Sequence, residues 1–380
     1  MVITMKRNLA LAILLSLLCI ALPVSAAEIF VSNSGDADFT TIQAAVEAAS
    51  PKDAIIILPG NYSQFRVTKP DLTIRAFANN GSVIVDCAGS EGLRLSGGRN
   101  ENATGTILDG LTIVNSRCGL RLGQYGPAPD SIIRNCVFTE LSGDAGIEIL
   151  SDNVTFENNT VERTGVYYTL YLAEANDAKI LNNLFINNPA GILPYLANNC
   201  TIIGNTFIGN EYAIGFYEPG TGLIISQNTF RDNTAACPRL WDWDGSFDVI
   251  WNATSPVTYT YNGAEHTGYP GNFWSDYTGV DAEGDGIIDE PYVLPDGLGT
   301  DHAPLMGAWE NGVIAGSEPA LPYTVLYEGT VDIPAGSTIQ AAISSKSGGY
   351  TPGEDFVEIP AESVGGMLDA SDFIFDMWKS

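Results

Sequence analysis

Apolar positions along the middle of this chain return at a period far longer than any single helix or strand. Starting at Asn135, one short pattern recurs at Asn159, Asn183, Asn205 and Asn228, in steps of 24, 24, 22 and 23 residues. Three residues before each asparagine stands an apolar residue (Ile132, Phe156, Ile180, Ile202, Ile225). Two residues after it stands another (Val137, Val161, Phe185, Phe207, Phe230). A second series, usually just behind a Gly or Ala, runs through Leu93, Leu120, Ile147, Leu170, Ile192 and Ile214. Local alternation, as in Gly-Leu-Arg-Leu and Gly-Ile-Glu-Ile, has the period of a strand with one buried face.

Two strand ladders per coil of 22–25 residues, joined by Asn- and Gly-rich bends, predict an all-β protein: a right-handed parallel β-helix, or solenoid. A single coil cannot bury its inner face alone, so neighbouring coils must stack on it. The recurring Asn belongs at an inward bend, where its amide can bond the equivalent amide in the coils above and below. A helical repeat is excluded by the dominance of β-branched and aromatic residues and the density of Asn and Gly. The one convincing helix, Phe39 to Ala49, has Ile42, Ala45, Val46 and Ala49 on one face and is expected to cap the open N-terminal end.

The flanks read differently. Residues 1–26 carry Lys6 and Arg7, an apolar run from Leu9 to Leu22 and a small-residue cleavage site, which together predict a secretory signal peptide. The β-helix is expected over 27–250, an aromatic and acidic segment closing it over 251–310, a linker over 311–322 and a β-rich extension over 323–380 that contains the strand "YTVLYEGTVDI". No later apolar run is long enough to cross a bilayer.

Within the closing segment, Asp281, Glu283, Asp285 and Asp289 place carboxylates at relative positions 1, 3, 5 and 9, with Gly286 at 6 and the Ile287 carbonyl at 7. This follows the first nine positions of an EF-hand-type loop and predicts a structural calcium ion. Tyr292 stands where the bidentate Glu would be, so a remote carboxylate, Asp276 or Asp301, would have to complete the shell.

The segment "TIQAAVEAASPKDAIIILPGNYSQFRVTKPDLTIRA", followed by repeats such as "IIGNTFIGNEYAIGF", resembles the parallel β-helix proteins of the pectin-lyase-like superfamily. In particular it is similar to the NosD-type carbohydrate-binding and sugar-hydrolysis domains of secreted proteins of methanogenic archaea. The stretch "GNFWSDYTGVDAEGDGIIDEPYVLPDG" resembles the segment that closes such proteins, with Glu283 in place of the usual Asp. The resemblance implies the fold over about residues 28–310. It leaves function open, because the fold hosts lyases, hydrolases, epimerases, adhesins and surface-layer proteins alike.

Charge narrows the partners. The whole chain carries −28, and removal of a signal peptide with two basic residues leaves 15 − 45 = −30. Such a surface repels nucleic acid and anionic lipid and attracts cations. Five cysteines remain (Cys87, Cys118, Cys136, Cys200, Cys237), an odd number in no zinc-like spacing. Seven Asn-x-Ser/Thr sequons, at Asn61, Asn80, Asn102, Asn153, Asn158, Asn199 and Asn252, are candidate glycosylation sites.

Catalytic chemistry is thinly represented. Both histidines, His266 and His302, fall outside the repeats, and no Asp cluster of the polygalacturonase type appears. Glu148, Glu157, Glu162 and Glu174 could line one groove with Tyr167, Tyr168 and Tyr171. Copper, suggested by the family name, wants His, Cys or Met, which are scarce. The expectation is a secreted, extracellular or cell-surface structural component of the envelope, calcium-stabilised and partnered by itself or other envelope proteins. The alternative is a carbohydrate-binding or polysaccharide-processing protein, with the aromatic segment 240–275 as the binding element.

Overall fold

The computed structural model describes residues 26–78, 81–96, 98–143, 145–238, 240 and 248–315, together with the strand backbones 339–342 and 356–359. The chain winds as a right-handed parallel β-helix with three strands per coil. One sheet stacks ten parallel strands from Glu28–Val31 to Val249–Ile250. The other two faces run together through the long strands Val83–Leu95 and Thr112–Leu122. One of them stacks Val137–Thr139, Thr160–Glu162, Leu184–Ile186, Thr206–Ile208, Thr229–Arg231 and Phe273–Trp274. The other stacks Ala145–Ile149, Tyr168–Ala173, Ala190–Tyr195 and Tyr212–Ile214.

The sequence gives two ladders per coil where the fold has three. The residues before and after each ladder asparagine belong to different sheets, because the bend between them turns the chain. That bend needs a left-handed residue just before the asparagine. Asn158 and Asn182 supply it with φ of 53°, and Gly204 with 71°. Asn ranks next to Gly in tolerating this region, since its short side chain hydrogen-bonds locally.

Asn159, Asn183, Asn205 and Asn228 form a buried chain of amides. From Asn183 onward each Oδ1 accepts both the backbone N–H and the side-chain Nδ2–H of the preceding coil's asparagine, at 2.9–3.1 Å for the pairs 159–183 and 183–205. The second Nδ2 proton goes to a strand carbonyl, as from Asn205 to Ile180 at 2.8 Å. Asn135 departs from expectation. It is the left-handed residue (φ 53°) and bonds Asp109, while Cys136 occupies the ladder position and donates its N–H to Asn159. The inward residues of that coil are therefore Ile133 and Phe138, not Ile132 and Val137. The repeat step there is 23 residues (159 − 136), and a neighbouring Asn disguised it.

The second apolar series stacks in register as expected, from Leu93 through Leu120, Ile147, Leu170 and Ile192 to Ile214, each at most 1% exposed. The preceding small residues have a steric cause. A Cβ at Gly92 would lie 2.0 Å from the Cys118 carbonyl oxygen, and one at Gly191 2.2 Å from that of Ala213. Phe185, Phe207, Phe230 and Trp274 stack along the core at 4.4–5.2 Å between ring centroids.

The N-terminal cap is the helix Ile42–Ala48, shorter than the sequence pattern, with Thr41 as N-cap accepting from the Ala44 N–H. Ile42, Ala45, Val46 and Ala49 are buried against the first coils. At the other end the 251–310 segment adds a further coil: Asn272 extends the amide chain and Phe273–Trp274 pairs with Thr229–Arg231. Val313–Ile314, at the start of the expected 311–322 linker, forms a hairpin with Trp309–Glu310, and residues 316–322 of that linker lie outside the described residues. Strands 339–342 and 356–359 pair antiparallel, while the expected strand at 323–333 and residues 1–25 lie outside the described residues.

The five cysteines are buried, free and far from thiolate chemistry. Burial pushes Cys87 and Cys200 up to about 11 and Cys118 and Cys136 up to about 12, with Cys237 also well above the usual thiol value. A raised thiol pKa keeps the protonated, unreactive form at neutral pH. Iodoacetamide is expected to leave these five unlabelled in the folded protein and to label all five in denaturant, by mass spectrometry. Labelling without denaturant would show that the core admits solvent.

Candidate functional site

Side chains on the outer surface of the Ala145–Ile149 face form columns along the solenoid axis. The residue two after each small residue points outward, giving Arg94, Arg121, Glu148 and Tyr171 in successive coils. Arg121 is clamped: its Nε and Nη2 donate to both oxygens of Glu148, the latter at 2.9 Å, and Nη1 lies 3.3 Å from Glu91. Arg94 lies 3.5 Å from the same Glu91.

Beyond this ion-pair cluster the face becomes aromatic. Tyr168 and Tyr171 stack at 5.6 Å and 24°, Tyr171 and Tyr195 follow at 6.1 Å and 31°, and Tyr195 and Tyr217 at 5.7 Å and 35°. Tyr167 stands across the start of this row, 83° to Tyr168, and is 71% exposed. Rings stacked along the axis turn their faces to one another and their edges to water. Partial burial, then the neighbouring phenols, then the charges of Glu148 and Glu174 raise the Tyr171 pKa.

The four glutamates expected to share a groove do not. Glu148 and Glu174 accompany the tyrosines. Glu157 lies in the ten-stranded sheet and Glu162 on the adjoining face, where Arg163 holds it at 2.6 Å. Tyr195, Tyr217, Glu91, Arg94 and Arg121 were missed in the sequence. Aligning the glycines at 92, 119 and 146 would have found Arg94, Arg121 and Glu148 two residues on, but the same step from Gly191 gives the buried Leu193, so Tyr195 and Tyr217 carry no such signal. The aromatic segment 240–275 is chiefly core. Trp251 and Trp274 are 1% exposed, with indole N–H groups bonded to the Leu298 carbonyl and to Asp301, and Tyr259 and Tyr261 are buried. Residues 241–247, with Trp241 and Trp243, lie outside the described residues.

The acidic loop is a tight turn organised by Asp281, whose carboxylate accepts the N–H groups of Gly284, Asp285 and Gly286 at 2.7–3.1 Å. Asp285 accepts from Ile287 and Asp289 from Ala282. The exposed Glu283 has a raised pKa, chiefly through a hydrogen bond with Asp289 and then its charge. Neither remote carboxylate joins the loop. Asp276 lies by Tyr292, and Asp301 is fully buried at the end of the amide chain, accepting from Asn272, Trp274 and Ala303. Among the described residues no three His, Cys, Asp or Glu side chains form a ready metal cluster.

Of the candidate glycosylation positions, Asn61, Asn102, Asn153, Asn158 and Asn199 are exposed, Asn252 is partly buried and Asn80 lies outside the described residues. Asn153, Asn158 and Asn199 are left-handed bend residues, and the Thr two positions on opens the next strand. The bend therefore accounts for these three sequons by itself.

Fold and face together define a pectin-lyase-like parallel β-helix protein. Residues 53–279 match the family described as "Periplasmic copper-binding protein (NosD)", and the chain belongs to that family. No curated protein matches the chain. Among solved structures it is similar to a pectin methylesterase in complex with a hexasaccharide, at 12% identity and a TM-score of 0.44, covering 68% of this chain and 92% of that one. It is similar also to an alginate lyase from Paenibacillus sp. (12% identity, TM-score 0.34, covering 59% and 80%) and to the A-module of a mannuronan C-5 epimerase from Azotobacter vinelandii (18%, 0.35, 52% and 73%).

Copper does not fit the described residues. The cysteines are buried with raised pKa values, His266 stacks on Tyr259, and no three His, Cys, Asp or Glu side chains among the described residues come together. No helix among the described residues is long and apolar enough to cross a membrane.

Proposed function

We propose that this protein binds a polysaccharide chain along the outer face bearing Tyr167, Tyr168, Tyr171, Tyr195 and Tyr217, and that it works outside the cytoplasm as a secreted protein. The observation that carries this reading is the tyrosine row itself. Three successive coils place the half-buried Tyr171, Tyr195 and Tyr217 on one face, 5.7–6.1 Å apart between ring centroids, with Tyr168 beside Tyr171 in the same coil at 5.6 Å. A repeating polymer is matched by a repeating surface. Tyrosine suits a sugar, because the outward hydroxyls donate to and accept from sugar oxygens while the exposed Tyr167 ring adds apolar surface for C–H groups. An aromatic row of this size on an acidic surface calls for a ligand, since fold stability does not require it. This support places the glycan reading ahead of a purely structural envelope role.

Replacing Tyr171 and Tyr195 together with Ala is expected to weaken binding at least about tenfold, the equivalent of roughly 1.4 kcal/mol. The melting temperature should barely change. Affinity electrophoresis through gels containing soluble glycans measures the binding, and thermal denaturation the melting temperature. Unchanged retardation of the double variant through every gel that retards the parent would sink this assignment of the face.

The loop around Asp281, Glu283, Asp285, Ile287 and Asp289 is proposed to take a calcium ion that fixes the closing segment. Glu283 and Asp289 compete for one proton, which a cation would replace. The sign follows: a carboxyl with a raised pKa holds its proton to higher pH, so calcium affinity should fall as pH is lowered through that range. Calcium should also raise the melting temperature, and a double Asp281→Ala, Asp285→Ala change should abolish the response. Equal melting curves in calcium and in chelator would contradict the proposal.

A further inference from the structure

The closing segment holds a cavity that the tyrosine face does not use. Its volume is about 220 Å³, and it is lined chiefly by Phe273, Tyr277, Ile288, Met306, Gly307 and Ala308. It lies where two cores meet. Tyr277 packs against the core of the solenoid, and Phe273 against a small second core that includes Trp309 and Ile314. Small-molecule sites run to about 300–1,000 Å³, so this volume suits one or two apolar side chains better than a ligand of that size. Met306, on the cavity wall, is left 37% exposed.

The path of the main chain supplies an occupant. In the hairpin of Trp309–Glu310 with Val313–Ile314, Trp309 is opposite Ile314, and the Ala315 N–H donates to the Ala308 carbonyl at 2.9 Å. The chain at Ala315 is therefore heading back along the wall formed by Ala308, Gly307 and Met306. Gly307 makes room for it, since a Cβ there would lie 1.9 Å from the Ala315 carbonyl oxygen. Beyond Ala315 the sequence continues Gly-Ser-Glu-Pro-Ala-Leu-Pro-Tyr, in which Leu321 is the first large apolar residue. Six residues of chain reach at most about 20 Å, so Leu321 is tethered near the cavity. Prolines follow both Glu318 and Leu321, and a residue before proline favours extended backbone, which lowers the cost of ordering this stretch. We propose that Leu321 enters the cavity and latches the start of the C-terminal extension onto the closing segment. Burying a leucine against Phe273, Ile288 and Met306 removes apolar surface from water on both sides of the contact.

The test is disulfide trapping in the full chain, with the pairs identified by peptide mapping. Ala320→Cys sets a thiol beside Leu321. It is combined with Met306→Cys on the cavity wall in one variant and with Val313→Cys in another. Val313 is 45% exposed on the same hairpin and nearer along the chain, so loop closure alone favours it. Under diamide, the 306–320 disulfide is expected to form at least about tenfold faster than the 313–320 disulfide, because docking raises the local thiol concentration at the cavity. Adding Leu321→Asp to both variants should slow the 306–320 pair until it no longer exceeds the 313–320 pair, since an unpaired carboxylate is not buried in an apolar cavity. A 313–320 disulfide that forms as fast as the 306–320 one in the parent background would overturn the latch. So would a preference for position 306 that survives Leu321→Asp. Disulfides formed only between molecules would overturn it in favour of a second copy supplying the side chain.

Discussion

Replacing Asn205 with Leu is expected to lower stability by on the order of 4 kcal/mol, among the largest losses available to a single side chain in this protein. Asn205 lies mid-chain in the amide ladder and is fully buried. Its Oδ1 accepts the N–H and Nδ2–H of Asn183 at 2.9 Å each, and its own Nδ2 donates to the Ile180 carbonyl and to Asn228. Leu fills the volume but leaves two donors of Asn183, the Ile180 carbonyl and Asn228 short of a partner in a place water cannot reach. Each such loss costs about 1–3 kcal/mol, partly offset by the apolar contacts of the new side chain. Denaturant midpoints give the measurement. A loss below about 1 kcal/mol would show that the ladder is replaceable by packing. The mirror experiment is Cys136→Asn. It places an amide where Cys136 now offers only its N–H to Asn159, and it is expected to stabilise the solenoid by about 1 kcal/mol.

Asp301→Asn should cost about 2–4 kcal/mol although it changes no volume. The amide chain runs one way, each asparagine donating toward the C-terminal end, so its last member must accept without donating. Asp301 does this. It takes the Asn272 N–H at 2.8 Å and Nδ2–H at 3.2 Å, the Trp274 indole N–H at 2.9 Å and the Ala303 N–H at 3.1 Å. Burial raises its pKa while these donors lower it. An Asn here must turn an NH2 toward at least one of those donors, and donor faces donor in a buried site. The expected result is a lower unfolding midpoint and early exposure of Trp251 and Trp274, read by tryptophan fluorescence. An Asn variant as stable as the parent would mean that Asp301 does not terminate the ladder.

The amide ladder marks the limit of what could be read in advance. Four of its asparagines were visible because their spacing tracked apolar partners on either side. Asn135 was misplaced by one residue, since local pattern cannot distinguish the left-handed bend residue from its inward neighbour when either can be Asn. A second series, the buried Asn188 and Asn210 and the partly buried Asn233, went unseen at the other corner, where the corresponding residue of the preceding coil is Thr164. Its spacing is just as regular, but the equivalent place in other coils tolerates other residues.

The sequence by itself determined the solenoid, its coil length, the inward apolar series and the N-terminal cap. Each is a demand of one coil on its immediate neighbours, and such demands repeat in the linear order of residues. Only the tertiary structure decided which outward residues meet. Tyr171, Tyr195 and Tyr217 are separated by about a coil of sequence, and their alternation along each strand is that of any exposed position. Their adjacency comes from the register between coils. Register likewise paired Arg121 with Glu148, consigned Trp251 and Trp274 to the core, and drew Asp301 away from the acidic loop to close a hydrogen-bond chain that begins more than a hundred residues earlier.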